Sequence, residues 1–172
     1  MPRPYPSALA ASRTALQALI VLNLLLGVLI LALLAASLVA EAPVFAALGA
    51  RPGNAALILG MRLIMVIGIV SVPLAHVVLT RLLAIVETVG LGDPFVAGNA
   101  ARLQTIAWAL LGLELLHLAA GAAAAAASSG AEPLDIDWSF SVTGWLAVLL
   151  LFVLARVFDQ GARMREDLEG TV

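Results

Sequence analysis

Four long apolar runs occupy residues 15–40, 55–80, 103–127 and 142–158 of a chain that has only 172 residues. An apolar helix needs about 20 residues to cross the hydrocarbon core of a bilayer. Because four such runs leave little chain for a soluble domain, the sequence predicts an all-α fold. The predicted fold is an integral membrane bundle of four transmembrane helices that forms a single domain over residues 1–172. A hydrophobic fraction of 63% and a charged fraction of 12% agree with this prediction.

The first apolar run is expected to be a retained transmembrane helix and not a cleaved signal peptide. A signal peptide has an apolar segment of roughly 7–15 residues, and this run is clearly longer. Pro43 directly follows the small residues around Glu41 that resemble a cleavage site, and it disfavours cleavage there.

The arginines predict the orientation of the chain, because cytoplasmic loops carry an excess of basic residues. All nine basic residues are arginine, and two of them, Arg51 and Arg62, belong to one side of the membrane. The other seven belong to the opposite side: Arg3, Arg13, Arg81, Arg102, Arg156, Arg163 and Arg165. We therefore expect cytoplasmic N- and C-termini, a cytoplasmic loop at 90–99 and a cytoplasmic tail at 159–172.

Three ionisable residues inside the predicted spans form a candidate intramembrane polar cluster: Arg62, Glu114 and His117. Glu114 and His117 are spaced i, i+3 and share one helix face. Counted from the arginines at the helix ends, Arg62 and Glu114 differ in depth by about 10 Å, most of which a long arginine side chain covers. Two interpretations stay open: a network that fixes helix packing, and a site that senses a ligand or a proton.

No metal, cofactor or catalytic site is predicted, so we expect a protein that is not an enzyme. The chain lacks cysteine, and its single Glu-x-x-His motif is half of what a di-iron site needs. His76 and His117 differ in expected depth by roughly 15 Å, too far apart to hold one haem iron. No hydrolase or phosphate-loop motif occurs. A net charge of −2 gives no basic face for direct nucleic-acid binding.

Small and amide side chains are expected to hold the helices together. Glycines such as Gly60, Gly68 and Gly112 allow membrane helices to approach closely. The alanine stretch at 119–127 is expected to face protein, and Asn23 to hydrogen-bond between helices. Asn99 follows the Gly90–Pro94 break and is predicted to cap the third span.

The most distinctive string in the chain is the loop and helix start Gly-Asp-Pro-Phe-Val-Ala-Gly-Asn-Ala-Ala-Arg-Leu at residues 92–103. It resembles the central signature of a bacterial membrane family catalogued as domain of unknown function 2975. The match continues through Trp108, and the tail from Phe152 to Val172 is also similar to that family. The resemblance implies four transmembrane helices and no established activity. It also implies a gene neighbourhood that contains a small helix-turn-helix regulator.

The resemblance favours a non-enzymatic sensor or tether in a bacterial inner membrane, with a small cytoplasmic DNA-binding regulator as its partner. The candidate docking motif comprises Asp93, Pro94, Phe95, Asn99 and Arg102, together with the charged tail. That tail is expected to extend the fourth helix through i, i+4 ion pairs of Arg163 with Asp159 and Asp167. The alternative is a small transporter or channel subunit that uses the intramembrane polar cluster. Besides the lipid bilayer and the regulator, a second copy of the chain stays open as a partner.

Overall fold

Five helices make up the computed structural model, which describes residues 7–49, 54–91, 96–128 and 141–169. The helices are α1 (Ser7–Val39), α2 (Glu41–Ala47), α3 (Ala55–Gly90), α4 (Ala97–Ala127) and α5 (Val142–Glu169). Four of them, α1, α3, α4 and α5, are long and apolar enough to cross a membrane. The predicted all-α fold with four candidate spans is therefore confirmed.

The four spans pack mainly in chain order. Among the described residues, extensive contacts join α1 to α3, α3 to α4 and α4 to α5. The bundle is thus an open row in which α1 and α5 form the two edges. Leucines along α1, such as Leu22, Leu25 and Leu29, are largely exposed. In a membrane this exposed apolar surface of α1 faces the lipid tails and is not in contact with water.

Glycines allow the closest approaches between helices, as predicted. A side chain on Gly60 would collide with Ala127, and one on Gly112 would reach Leu74, so both glycines lie where α3 crosses α4. Gly68 lies against Ile30, where α1 meets α3. The alanine stretch faces protein on one side only, because Ala124 and Ala127 are buried while alanines between them are exposed.

The short helix α2 was not predicted from the sequence. It follows α1 after a single residue, and its Phe45 is buried in a cluster with Leu57, Ile58 and Met65 of α3. Pro43 is the third residue of α2, where a proline is tolerated because the first-turn N–H groups have no helical partner. Helix α2 therefore fastens the end of α1 to the start of α3.

The start of α4 differs from the prediction. The helix begins at Ala97, with Val96 in the capping position and no side-chain cap, so the prediction of Asn99 as the N-cap is wrong. Asn99 is the third residue of the helix, and its amide is used in a contact with α3 instead. The predicted glycine break is correct at its first residue, because α3 ends at Gly90.

Candidate functional site

Arg62 is held at the α2 end of the protein. Its guanidinium donates to the carbonyl of Ser37 at 2.6 Å and to the Glu41 carboxylate at 2.8 Å. The same guanidinium lies 5.5 Å from the centre of the Phe45 ring, within range of a cation–π interaction. The side chain of Arg62 is 25% exposed, so a carboxylate, a carbonyl and an aromatic ring share the stabilisation of a half-buried charge.

The predicted pairing of Arg62 with Glu114 and His117 is wrong, because Arg62 pairs with Glu41 instead. Gly60, two residues from Arg62, packs on Ala127, which lies 13 residues along α4 from Glu114. Because the two helices are antiparallel, Arg62 is two residues nearer to Glu114, and the remaining eleven helical residues span about 16 Å, which is beyond the reach of an arginine side chain. No hydrogen bond or ion pair joins Arg62 to Glu114 or His117 in the part of the chain that the structure describes.

Glu114 and His117 face different neighbours although they share one helix face. The Glu114 carboxylate packs against Gly144 in the first turn of α5, so that a side chain on Gly144 would collide with it. The carboxyl group therefore lies beside the N-terminal end of α5, which is the positive end of the helix dipole. His117 lines a groove of about 300 Å³ between α3 and α4, together with Gly68 and Ser71.

Arg62, Glu114 and His117 lie at separate places and do not come together as ligands of one metal ion. Within the described ranges, no group of three or more histidine, aspartate or glutamate side chains lies close enough to hold an ion. The three members of the candidate intramembrane polar cluster contact α2, α5 and the α3–α4 groove separately. They therefore act as individual contacts between neighbouring helices.

A partly buried hydrogen-bond network centred on Asn99 closes the hairpin between α3 and α4. The Asn99 amide donates to the Thr88 hydroxyl at 2.8 Å, and the Asn99 carbonyl oxygen accepts from Arg102 at 2.8 Å. The Thr88 hydroxyl donates in turn to the carbonyl of Ile85 at 2.8 Å. Asn99 has no exposed surface, so this part of the docking motif holds the hairpin together and offers no direct contact to a partner.

The rest of the predicted docking motif is divided. Asp93, Pro94 and Phe95 lie outside the described residues. Arg102 is tied to Asn99, and the end of α3 next to them exposes Leu91. The predicted extension of the fourth helix is confirmed, because α5 continues to Glu169 and Arg163 pairs with Asp159 at 3.0 Å. The predicted pair of Arg163 with Asp167 stays a prediction, because the Asp167 side chain lies outside the described ones.

Two partners in these contacts were missed from the sequence. Thr88 and Asn99 are equidistant from the centre of the turn between α3 and α4, at 93.5, and this symmetry signals a contact in an antiparallel hairpin. Glu41 is the acidic residue that follows the first apolar run, and no periodicity indicated that α2 would bring it to Arg62.

The fold and these contacts define a multi-pass membrane protein with four candidate spans and a polar, helical end formed by α3, α4 and α5. The chain belongs to the family described as Protein of unknown function (DUF2975), whose profile matches residues 33–172, about four fifths of its length. The match includes all of α3, α4 and α5. No curated protein and no solved structure matches the chain.

Proposed function

We propose that this protein is a non-enzymatic sensor or tether in a bacterial inner membrane, which binds a small cytoplasmic helix-turn-helix regulator at its polar end. The observation that carries this proposal is the continuation of α5 beyond its apolar part. The helix runs 13 residues past Arg156, to Glu169, which corresponds to about 20 Å. A membrane helix that stays regular over this distance supplies a preformed surface for a partner, which lowers the entropic cost of binding.

Two further features support docking at this end. Asp159 pairs with both Arg156 and Arg163, so the extended helix presents charges of both signs together on one face. Met164 lies within the charged part of α5 and is 62% exposed, and Leu91 at the end of α3 is 79% exposed. Apolar side chains among charges at the aqueous end of a membrane helix are suited to contacts with another protein.

The orientation in this proposal comes from the arginine distribution, which assigns the N- and C-termini to the cytoplasm. The polar end then meets cytoplasmic proteins, and α2 lies on the opposite side. A transporter, the alternative function, would have to connect Arg62, Glu114 and His117 along a path, and these three side chains contact separate neighbours among the described residues.

Photo-crosslinking from Met164 tests this function. A benzophenone amino acid placed at position 164 in the native host is expected to capture a small DNA-binding protein, identified by mass spectrometry. Leu150, which is similarly exposed in the apolar part of α5, is the matched control position and is expected to capture no such protein. Capture of the same proteins from both positions, or of none from position 164, would contradict the proposed docking.

A further inference from the structure

A groove lies between the start of α4 and the point where the apolar part of α5 ends. Its volume is about 360 Å³. The walls combine small, aromatic and charged side chains: Ala100, Ala101, Gln104, Phe152, Ala155, Arg156, Asp159 and Arg163. Three of these residues are alanines, so the groove exists because the two helices carry little bulk where they meet.

The groove is apolar toward the membrane and polar toward water. Phe152 is the lining residue of α5 that lies deepest in the apolar run, and its ring meets Trp108 edge to face at 5.1 Å. Trp108 on α4 is largely exposed, and so are Leu149 and Val153, which lie close to Phe152 in the sequence of α5, as lipid-facing side chains are. An acyl chain can therefore lie along this surface while its headgroup occupies the polar part of the groove.

The polar part carries a net positive charge. Asp159 lies between two arginines, 3.7 Å from Arg156 and 3.0 Å from Arg163, and neutralises one of their two charges. A guanidinium has five N–H donors in a planar fork that matches a phosphate group. The two side chains are 72% and 70% exposed, so most of these donors are directed to the surroundings and not to Asp159.

We propose that this groove binds the headgroup of an anionic phospholipid, with Arg156 and Arg163 on the phosphate. Arg156 ends the apolar run of α5, which places it at headgroup level, and Arg163 extends back toward it because both side chains pair with Asp159. Basic pockets between membrane helices at this level are typical binding sites for anionic lipids. A soluble phosphate makes no use of the apolar part of the groove, and a protein segment would have to enter the hydrocarbon layer to fill it. The lipid site does not depend on the proposed regulator.

Native mass spectrometry of the full-length, delipidated protein tests the proposal, with phosphatidylglycerol and phosphatidylcholine as the two probes. The wild-type protein is expected to retain one phosphatidylglycerol in preference to phosphatidylcholine. The double substitution R156Q/R163Q is expected to weaken phosphatidylglycerol binding about 25-fold at low ionic strength, because each arginine near an anionic surface contributes about a factor of five. The matched control R13Q/R81Q removes two arginines outside the groove and is expected to leave this lipid bound.

The variant A101L separates shape from charge. It keeps both arginines and fills the groove from an exposed helix position, and it is expected to weaken phosphatidylglycerol binding about tenfold. Equal binding of the two lipids by the wild-type protein would overturn the proposal. So would wild-type affinity in R156Q/R163Q, or displacement of the lipid by millimolar inorganic phosphate. Loss of a co-purified protein from R156Q/R163Q with lipid binding unchanged would assign the groove to that protein instead.

Discussion

Replacement of Gly60 by leucine is expected to destabilise the protein by about 3 kcal/mol, because the side chain overfills a packed helix crossing. Gly60 is buried where α3 meets α4, and a β-carbon there would collide with Ala127. The same β-carbon would lie 3.5 Å from the Ala123 carbonyl oxygen. Because the obstacle includes backbone and a short alanine side chain, no rotamer change can relieve it and the helices must separate. The measurement is unfolding in mixed micelles with increasing SDS, followed by circular dichroism.

Gly98 provides the matched control for this substitution. It lies in the first turn of α4, and no atom is within 4 Å of its ideal β-carbon position. Gly98→Leu introduces the same side chain and is expected to leave stability unchanged or to raise it by up to about 1 kcal/mol through helix propensity. Equal stabilities of Gly60→Leu and Gly98→Leu would show that the crossing of α3 and α4 is not closely packed.

Replacement of Asn99 by leucine is expected to destabilise the protein by about 2–3 kcal/mol, since it removes two partly buried hydrogen bonds, one of them from the charged Arg102. The wild-type amide binds the Thr88 hydroxyl, and its carbonyl oxygen accepts from the Arg102 guanidinium. Leucine has a similar size but can neither donate a hydrogen bond to Thr88 nor accept one from Arg102. The loss should appear in the SDS unfolding midpoint and as faster proteolysis between α3 and α4.

Thr105 is the control on the same helix. Its hydroxyl is exposed and donates only to the carbonyl of Ala101, one turn back, so Thr105→Val is expected to change stability by less than about 0.5 kcal/mol. An Asn99→Leu variant as stable as the wild-type protein would contradict the structural role of Asn99. It would return this residue to the set of candidate docking contacts.

The positions of the membrane helices were predictable because hydrophobicity over about 20 residues is a strong signal. A contact between two helices was predictable where a single polar side chain lies in an apolar span and needs a hydrogen-bond partner on another helix. Asn23 was expected to bond between helices, and its amide donates to the Val72 carbonyl of α3 at 3.1 Å. The order of packing, in which consecutive spans form an open row, leaves no comparable mark in composition or periodicity.

Two side chains have partners that the sequence did not predict. The expected depth along the helix gave the wrong partner for Arg62, and the N-cap rule gave the wrong role for Asn99. The depths counted from the terminal arginines placed Arg62 and Glu114 too close together, and the sequence did not reveal that α2 follows α1 and supplies Glu41 as the partner of Arg62. The capping rule favoured Asn99 from local sequence, yet this buried side chain bonds to Thr88 across the hairpin and to Arg102 on its own helix. In both cases tertiary contacts outweigh the local preference.

The most direct test of the proposed membrane tether is the side of the membrane on which the end of α5 lies. The chain has no cysteine, so single cysteines at Met164 and at Leu48, which follows α2, report accessibility without background. Both wild-type side chains are exposed. With an impermeant maleimide on intact cells, Leu48→Cys is expected to be labelled, and Met164→Cys only after permeabilisation. Labelling of Met164→Cys in intact cells would contradict the account, because a cytoplasmic regulator could not reach that surface.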